Sequence, residues 1–251
     1  MALPIPLAKL PVYEKNNLPD HLKDYKSGSI FLINKPKGWS SFRVVGFLRK
    51  MTGVKKIGHA GTLDPMATGL LILCTGKATK SISGIQKQSK IYRAEITFGS
   101  STPSYDAETE VDQEAPVDHI THSLIESTLA KHFTGDIEQV APMYSAVKYN
   151  GQRLYKLARK GIEVERKPRK AMIHKNIIHG YESPKLVMDV HCGTGTYIRS
   201  LANDLGLALN SRAHLSGLER TAIGDYNINK ALDVAEILNI FKCDDTIDLS
   251  A

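Results

Sequence analysis

The apolar positions along the chain fall into runs with the period of a strand and runs with the period of a helix. Ile30-Phe-Leu-Ile33 is a short continuous apolar run that predicts a buried strand, closed by the turn-forming Asn34-Lys-Pro-Lys-Gly38. Ser40 or Ser41 then stands where a helix N-cap belongs, and Val44, Val45, Phe47 and Leu48 recur on one face of a helix running to about Met51. A second apolar run predicts a strand over residues 70–74, followed by a helix over 78–86 and an alternating strand over 91–98. Helices are then expected over 123–132, over 153–160 (ended by Gly161) and over 197–209, with strands around 144–148, 172–179, 186–192 and 214–221. Residues 1–27 show no period and carry Pro4, Pro6 and Pro11, which reads as an N-terminal arm, extended or poorly ordered. Strands and helices interleave without a βαβ rhythm, so the expected class is α+β, with one domain over residues 28–251.

Composition narrows the setting. The 251 residues are 42% apolar, enough for a substantial core. The longest apolar run, Leu70-Leu-Ile-Leu-Cys74, is far short of the roughly 20 residues of a membrane span. Cys74, Cys192 and Cys243 are odd in number and far apart, as reduced thiols of a cytoplasmic protein would be.

Charge changes the picture more, through its distribution rather than its net value of +7. Residues 25–94 hold 13 Lys or Arg and a single carboxylate, Asp64, and residues 153–175 hold nine cations against Glu163 and Glu165. The acids gather elsewhere, between Asp106 and Asp118. A surface facing a polyanion shows such segregation, and so does a solvated basic face.

Several motifs fail. Gly76-Lys77 would end a phosphate-binding loop only with glycine at position 71 and Ser or Thr at 78, where Leu71 and Ala78 stand. Gly193-Thr-Gly195 lacks the third glycine and the downstream acid of a dinucleotide site. His119 and His122 have no second Cys or His pair near them in sequence, so no metal is implied.

Asp64 remains, in the loop Gly58-His-Ala-Gly-Thr-Leu-Asp-Pro-Met-Ala-Thr-Gly69. Asp followed by Pro is a favoured helix start, so Asp64 can be a structural N-cap. An acid kept alone on a surface meant for phosphates can equally be a nucleophile, held ionised by the cations around it. If Thr196 caps the helix over 197–209, Arg199 lies in its first turn, where the helix dipole disfavours a cation by up to about 1 kcal/mol. Arg199 also lies off the apolar face of Ile198, Leu201, Ala202 and Leu205. A carboxylate partner would resolve that conflict, with Asp64 the candidate, and so would simple exposure to solvent. Tyr92 shares a strand face with Ala94, Ile96 and Phe98, as an ordinary core tyrosine does, and His59 between small residues suits a local hydrogen-bonding role.

The Asp64 loop resembles the active-site motif of the TruB family of tRNA pseudouridine synthases. The likeness extends in order to Leu32-Ile-Asn-Lys-Pro-Lys-Gly38 with Ser40-Ser41, Lys90-Ile-Tyr-Arg93, Gly135-Asp-Ile-Glu138, Met143-Tyr-Ser-Ala-Val-Lys148 and Cys192-Gly-Thr-Gly-Thr-Tyr-Ile-Arg199. The resemblance implies the pseudouridine synthase fold, with a mixed, mostly antiparallel central sheet flanked by helices. An RNA-gripping insertion would fall at about 140–170. It implies isomerisation of the T-loop uridine of tRNA without cofactor or metal, by a monomer. Asp64 matches the nucleophile, Tyr92 the tyrosine stacked on the flipped uracil, and Arg199 the arginine paired with the aspartate. His59 matches the residue filling the gap left by the base, Lys35 and Pro36 a support at the edge of the site, and Tyr197 a substrate-side residue. Where the family carries Thr-Asp-Thr-x-Asp-x-x-Gly, this chain reads Thr102-Pro-Ser-Tyr-Asp-Ala-Glu-Thr109, which keeps Asp106 as a substrate-side candidate. The roughly 30 residues after Thr221 are too few for the C-terminal RNA-binding domain of many members. An RNA-binding protein without turnover and a nucleosidase are the competing classes.

Overall fold

The computed structural model describes residues 6, 9–17 and 26–241; Cys243 and the remainder of the expected N-terminal arm lie outside them. One domain was expected over 28–251, but the chain divides into two compact units. Unit 1 is Met1–Gln88 with Arg220–Ala251, and unit 2 is Ser89–Glu219.

Unit 1 opens with β1 (Val12–Tyr13), which runs parallel to β2 (Ile30–Lys35) with Tyr13 opposite Phe31. Part of the expected arm is therefore built into the fold. Tyr13 is fully buried, its ring stacked on Phe31 at 4.3 Å between centroids, and Leu10 joins the core of Ile30, Leu32, Leu70 and Ile72. A two-residue strand is too short to register as a period. α1 (Ser41–Thr52) starts at the Ser40 cap, whose side chain accepts from Arg43 N, and ends at Gly53, whose left-handed φ of 67° lets its N–H reach Arg49 O. β3 (Ile57–His59) and β2 both pair antiparallel with β4 (Thr68–Thr75), the apolar run of the sequence. The helix expected over 78–86 is a 3₁₀ turn, Gly76–Ser81, leading into the short α2 (Ile82–Gln86). The Thr79 hydroxyl donates to Gly76 O at 2.8 Å, a side-chain bond that competes with α-helical pairing.

In unit 2, β5 (Lys90–Phe98) precedes a short antiparallel pair, β6 (Ser100–Ser101) and β7 (Gln113–Glu114). Next come α3 (His122–His132), capped by Thr121, and β8 (Gly135–Gln139). The insertion holds a hairpin of β9 (Lys148–Tyr149) and β10 (Gln152–Arg153), then α4 (Leu154–Ala158). β11 (Arg169–Glu182), β12 (Lys185–Cys192), α5 (Ile198–Ala208) and β13 (Ala213–Ile223) complete the unit. The strand order is β8-β11-β12-β5-β13, antiparallel from β8 through β5. The strand expected over 144–148 is a series of bends up to Val147, because the Tyr144 and Ser145 carbonyls accept from Arg199 and from Tyr155 N rather than from a strand.

The boundary between the units falls within β13, and unit 1 resumes with β14 (Tyr226–Asn227) and α6 (Val234–Phe241), a helix the apolar pattern did not yield. Its start carries half a capping box: the Glu236 carboxylate accepts from Asp233 N at 2.7 Å. Leu232, just before it, exchanges backbone bonds with Leu32 and Asn34 of β2. Replacing Tyr13 with Ala should remove the stacked pair and cost about 3 kcal/mol of unfolding free energy; a urea titration that shows no change would return residues 9–17 to the status of an arm.

Candidate active site

The unit 1 residues singled out by sequence meet around the turn that carries Asp64. Ala67 N–H donates to Asp64 O at 3.1 Å, closing a β-turn with Pro65 at its second position. The helix start that Asp-Pro suggested is absent, since only three residues separate Asp64 from β4, too few for a helix. Asp64 itself is half-buried.

Three side chains hold this turn. Lys35 is fully buried, and its ammonium donates to the carbonyls of Pro36, Trp39 and Pro65, so it ties the residues after β2 to the residue that follows Asp64. In this arrangement Lys35 is a support without surface of its own to offer a substrate, while Pro36 is half-buried. Ser41 Oγ donates to Leu63 O and accepts from Leu63 N, at 3.0 and 2.8 Å. Arg220, 1% exposed, donates to Leu70 O, Gly61 O and Thr62 O. Gly69 permits the close approach: a Cβ there, at φ 99°, would sit 2.4 Å from Arg220 O. Sequence reading missed Arg220. The available signal was a cation in the same strand phase as the apolar Ala222.

His59, on β3 opposite Leu73, is half-buried, and its buried Nδ1 has no well-formed hydrogen bond among the described residues. Burial lowers its pKa from 6.5, the Arg220 guanidinium lowers it further, and the Gly61 backbone opposes both.

In unit 2, Tyr92 lies half-buried at the start of β5, on the face whose later members Ala94, Ile96 and Phe98 are buried. The cap of α5 is Tyr197 rather than Thr196, whose hydroxyl bonds Gly193 O. Gln139 holds Tyr197 from both sides, accepting from its N–H at 3.0 Å and donating to its carbonyl at 3.2 Å. Arg199 lies in the first turn as expected but is 5% exposed, which removes the solvent-facing alternative. Within unit 2 its carboxylate partner is Asp106, with Nε 3.5 Å from Oδ2, an ion pair just outside hydrogen-bond geometry; the guanidinium also donates to Ser104 O and Tyr144 O. Asp106 is 1% exposed and accepts from Ser104 Oγ and Glu108 N, so it organises its loop rather than facing solvent. The cations of the insertion at Lys148, Arg153, Lys156, Arg159, Lys160 and Lys167 are all exposed.

Among the described residues no group of three or more His, Cys, Asp or Glu side chains is placed to hold a metal ion, and no helix is long and apolar enough to cross a membrane. Cys74 and Cys192 are free and buried, with thiol pKa values raised by burial to about 12 and about 11.

Arg220→Met should leave three carbonyls unpaired and cost about 3 kcal/mol of stability, with Arg220→Lys restoring part of it; equal unfolding curves for all three proteins would contradict this. His59 gives a pH dependence. With its folded pKa below 6.5, the unfolded chain binds the proton first. Its contribution is therefore complete above about pH 6.5 and declines as the pH falls. Unfolding free energies at pH 7.5 and 5.5 should differ less in His59→Gln than in the native sequence.

The model of the TruB family pseudouridylate synthases (N-terminal domain) matches residues 49–198. A tRNA pseudouridine synthase B of Bacteroides fragilis is 49% identical over 219 residues, covering 85% of this chain and 94% of the relative. Its counterpart in Flavobacterium johnsoniae is 48% identical, covering 84% and 95%, and that of Dehalococcoides mccartyi is 48% identical, covering 86% and 71%. A solved Cbf5–Nop10–Gar1 complex contains a chain similar in fold, with a TM-score of 0.67 at 24% identity over 98% of this chain and 69% of that one. The chain belongs to the TruB family of pseudouridylate synthases.

Proposed function

We propose that this protein is a tRNA pseudouridine synthase that converts the T-loop uridine to pseudouridine-55, with Asp64 as the nucleophile. The observation that carries the reading is the 49% identity to a relative of that name across 94% of its length. The reaction is an isomerisation: the bond from ribose C1′ to uracil N1 breaks, C1′ bonds to C5 instead, and the C5 proton is lost as N1 gains one. Atoms and electrons balance within the nucleotide.

The assigned residues suit that chemistry. Asp64 is presented on a loop whose backbone is pinned by Lys35, Ser41 and Arg220, which limits the rearrangement the loop needs for reaction. Tyr92 is assigned to the flipped base and to the C5 proton, and its half-buried position leaves ring surface to offer. Flipping a base costs a few kcal/mol, and stacking on one ring returns about 1–3 kcal/mol. His59, neutral at pH 7, is the group assigned to the vacated place in the RNA. Arg199 is assigned to favour the ionised aspartate, and within unit 2 it pairs with Asp106. Tyr197, held by Gln139, is assigned to the substrate side. The exposed cations of the insertion are assigned to phosphates of the T arm. The same reading places the protein in the cytoplasm, acting on RNA without cofactor or metal.

A tRNA transcript carrying tritium at uridine C5 tests this. The native protein should release tritium while the base stays attached, and Asp64→Asn should slow release by at least roughly three orders of magnitude. Binding without tritium release would leave only an RNA-binding protein, and an abasic product would mean a nucleosidase.

A further inference from the structure

Phe42 is 75% exposed, the most exposed large apolar side chain among the described residues and the only one of that kind in unit 1. Its place in α1 explains the exposure. Val44, Val45, Phe47, Leu48 and Met51 lie on the buried face with Ser41 and Thr52 at its ends, while Phe42 falls with Gly46, Arg49 and Lys50 on the outer arc. Any polar residue would satisfy that position. A phenylalanine there keeps a large apolar surface in water; a single exposed apolar residue is ordinary, so what surrounds it decides whether it has a task.

The surroundings indicate what binds. Ser41, the residue before Phe42, bonds both the N–H and the carbonyl of Leu63, the residue before Asp64. Phe42 and Asp64 are thus each one residue, ~3.8 Å of backbone, from the same contact. Lys35 ties the loop just before the helix to the Asp64 turn a second time, through Trp39 O and Pro65 O. The helix start is thus tied to the backbone of the Asp64 turn at both Leu63 and Pro65. The nearby charges are positive: Lys37 is exposed, and the Arg43 guanidinium lies 4.2 Å from the centre of the Trp39 ring. Asp64 is the only acid between residues 25 and 94. An exposed aromatic ring on a rigid basic surface beside the reacting carboxylate fits an unpaired nucleobase flanked by phosphates.

We propose that Phe42 is a stacking platform for a second unpaired base of the RNA substrate, one close to the uridine that reacts. This rests on the functional reading above and adds a contact to it. The test uses the full chain with Asp64→Asn, so that binding is read without turnover, and a fluorescent tRNA transcript titrated with protein. Phe42→Ala should weaken binding about 5- to 100-fold, Phe42→Leu should weaken it nearly as much, and Phe42→Trp should bind like the parent. Thermal midpoints should coincide, because the side chain packs against little. p-Benzoylphenylalanine at position 42 should photo-crosslink to the T loop. Equal affinity for Phe42→Ala overturns the proposal. Full affinity for Phe42→Leu does too, by showing that only apolar area matters. A change of sedimentation coefficient in Phe42→Ala would assign the ring to a second copy of the chain and also overturn it. If the unsubstituted protein releases tritium but these variants bind alike, the stacking fails while the enzymatic reading stands.

Discussion

Buried cations bonded to loop carbonyls hold the parts of this protein that strands and helices do not. Loop carbonyls have no ladder partner, and leaving them dry and unpaired is costly. A guanidinium or ammonium offers several donors from one point, each strengthened by charge. Lys35 joins three carbonyls from two loops, Arg220 joins Gly61 and Thr62 to Leu70, and Arg199 joins Ser104 to Tyr144. In the Asp64 loop this device has an electrostatic advantage. Carboxylates could have held the N–H groups instead, but each would have placed a negative charge near the approach of a polyanion. Arg220 is satisfied by carbonyls alone among the described residues and leaves the loop with one acid, the one assigned to chemistry.

The two units solve the same problem with different chemistry. Unit 2 does use an acid, Asp106, but buries it to 1% exposure and pairs it with Arg199, so that its charge is spent inside the fold. The surface that remains on the insertion is basic and exposed. Arg199 in the first turn of α5 works against the helix dipole, and Asp106 is the local compensation. The dipole argument allowed either a carboxylate partner or exposure to solvent, and the structure supplies a carboxylate within the same unit.

How much of this was legible depended on whether the signal was local. β2, α1, β4, β5, β11, β12, α5 and β13 all follow runs long enough for a period to show. β1 was missed because two residues have no period, and α6 because its marker is the Asp233–Glu236 capping contact rather than a long apolar face. The helix start that Asp-Pro allows gives way to a turn because β4 begins at Thr68, only four residues on. Bends replaced a strand at Tyr144 because two carbonyls were claimed from outside the segment. The role of Arg220 went unread for the same reason: its acceptors lie at Gly61, Thr62 and Leu70, some 150 positions earlier. Family likeness pointed to Asp64, Tyr92 and Arg199 and took in Ser41 without giving it a role, whereas neither likeness nor periodicity pointed to Gln139, whose work is done through backbone contacts.

Unit 1 is assembled from two pieces of chain separated by the whole of unit 2. On the ribosome, unit 2 can close its core once Glu219 has left the exit tunnel. β2 must wait longer, for Leu232 to bond with Leu32 and Asn34 and for Arg220 to fasten the loop at Gly61. The apolar run of β4 is made early and buried late, which makes it the segment most in need of protection during synthesis.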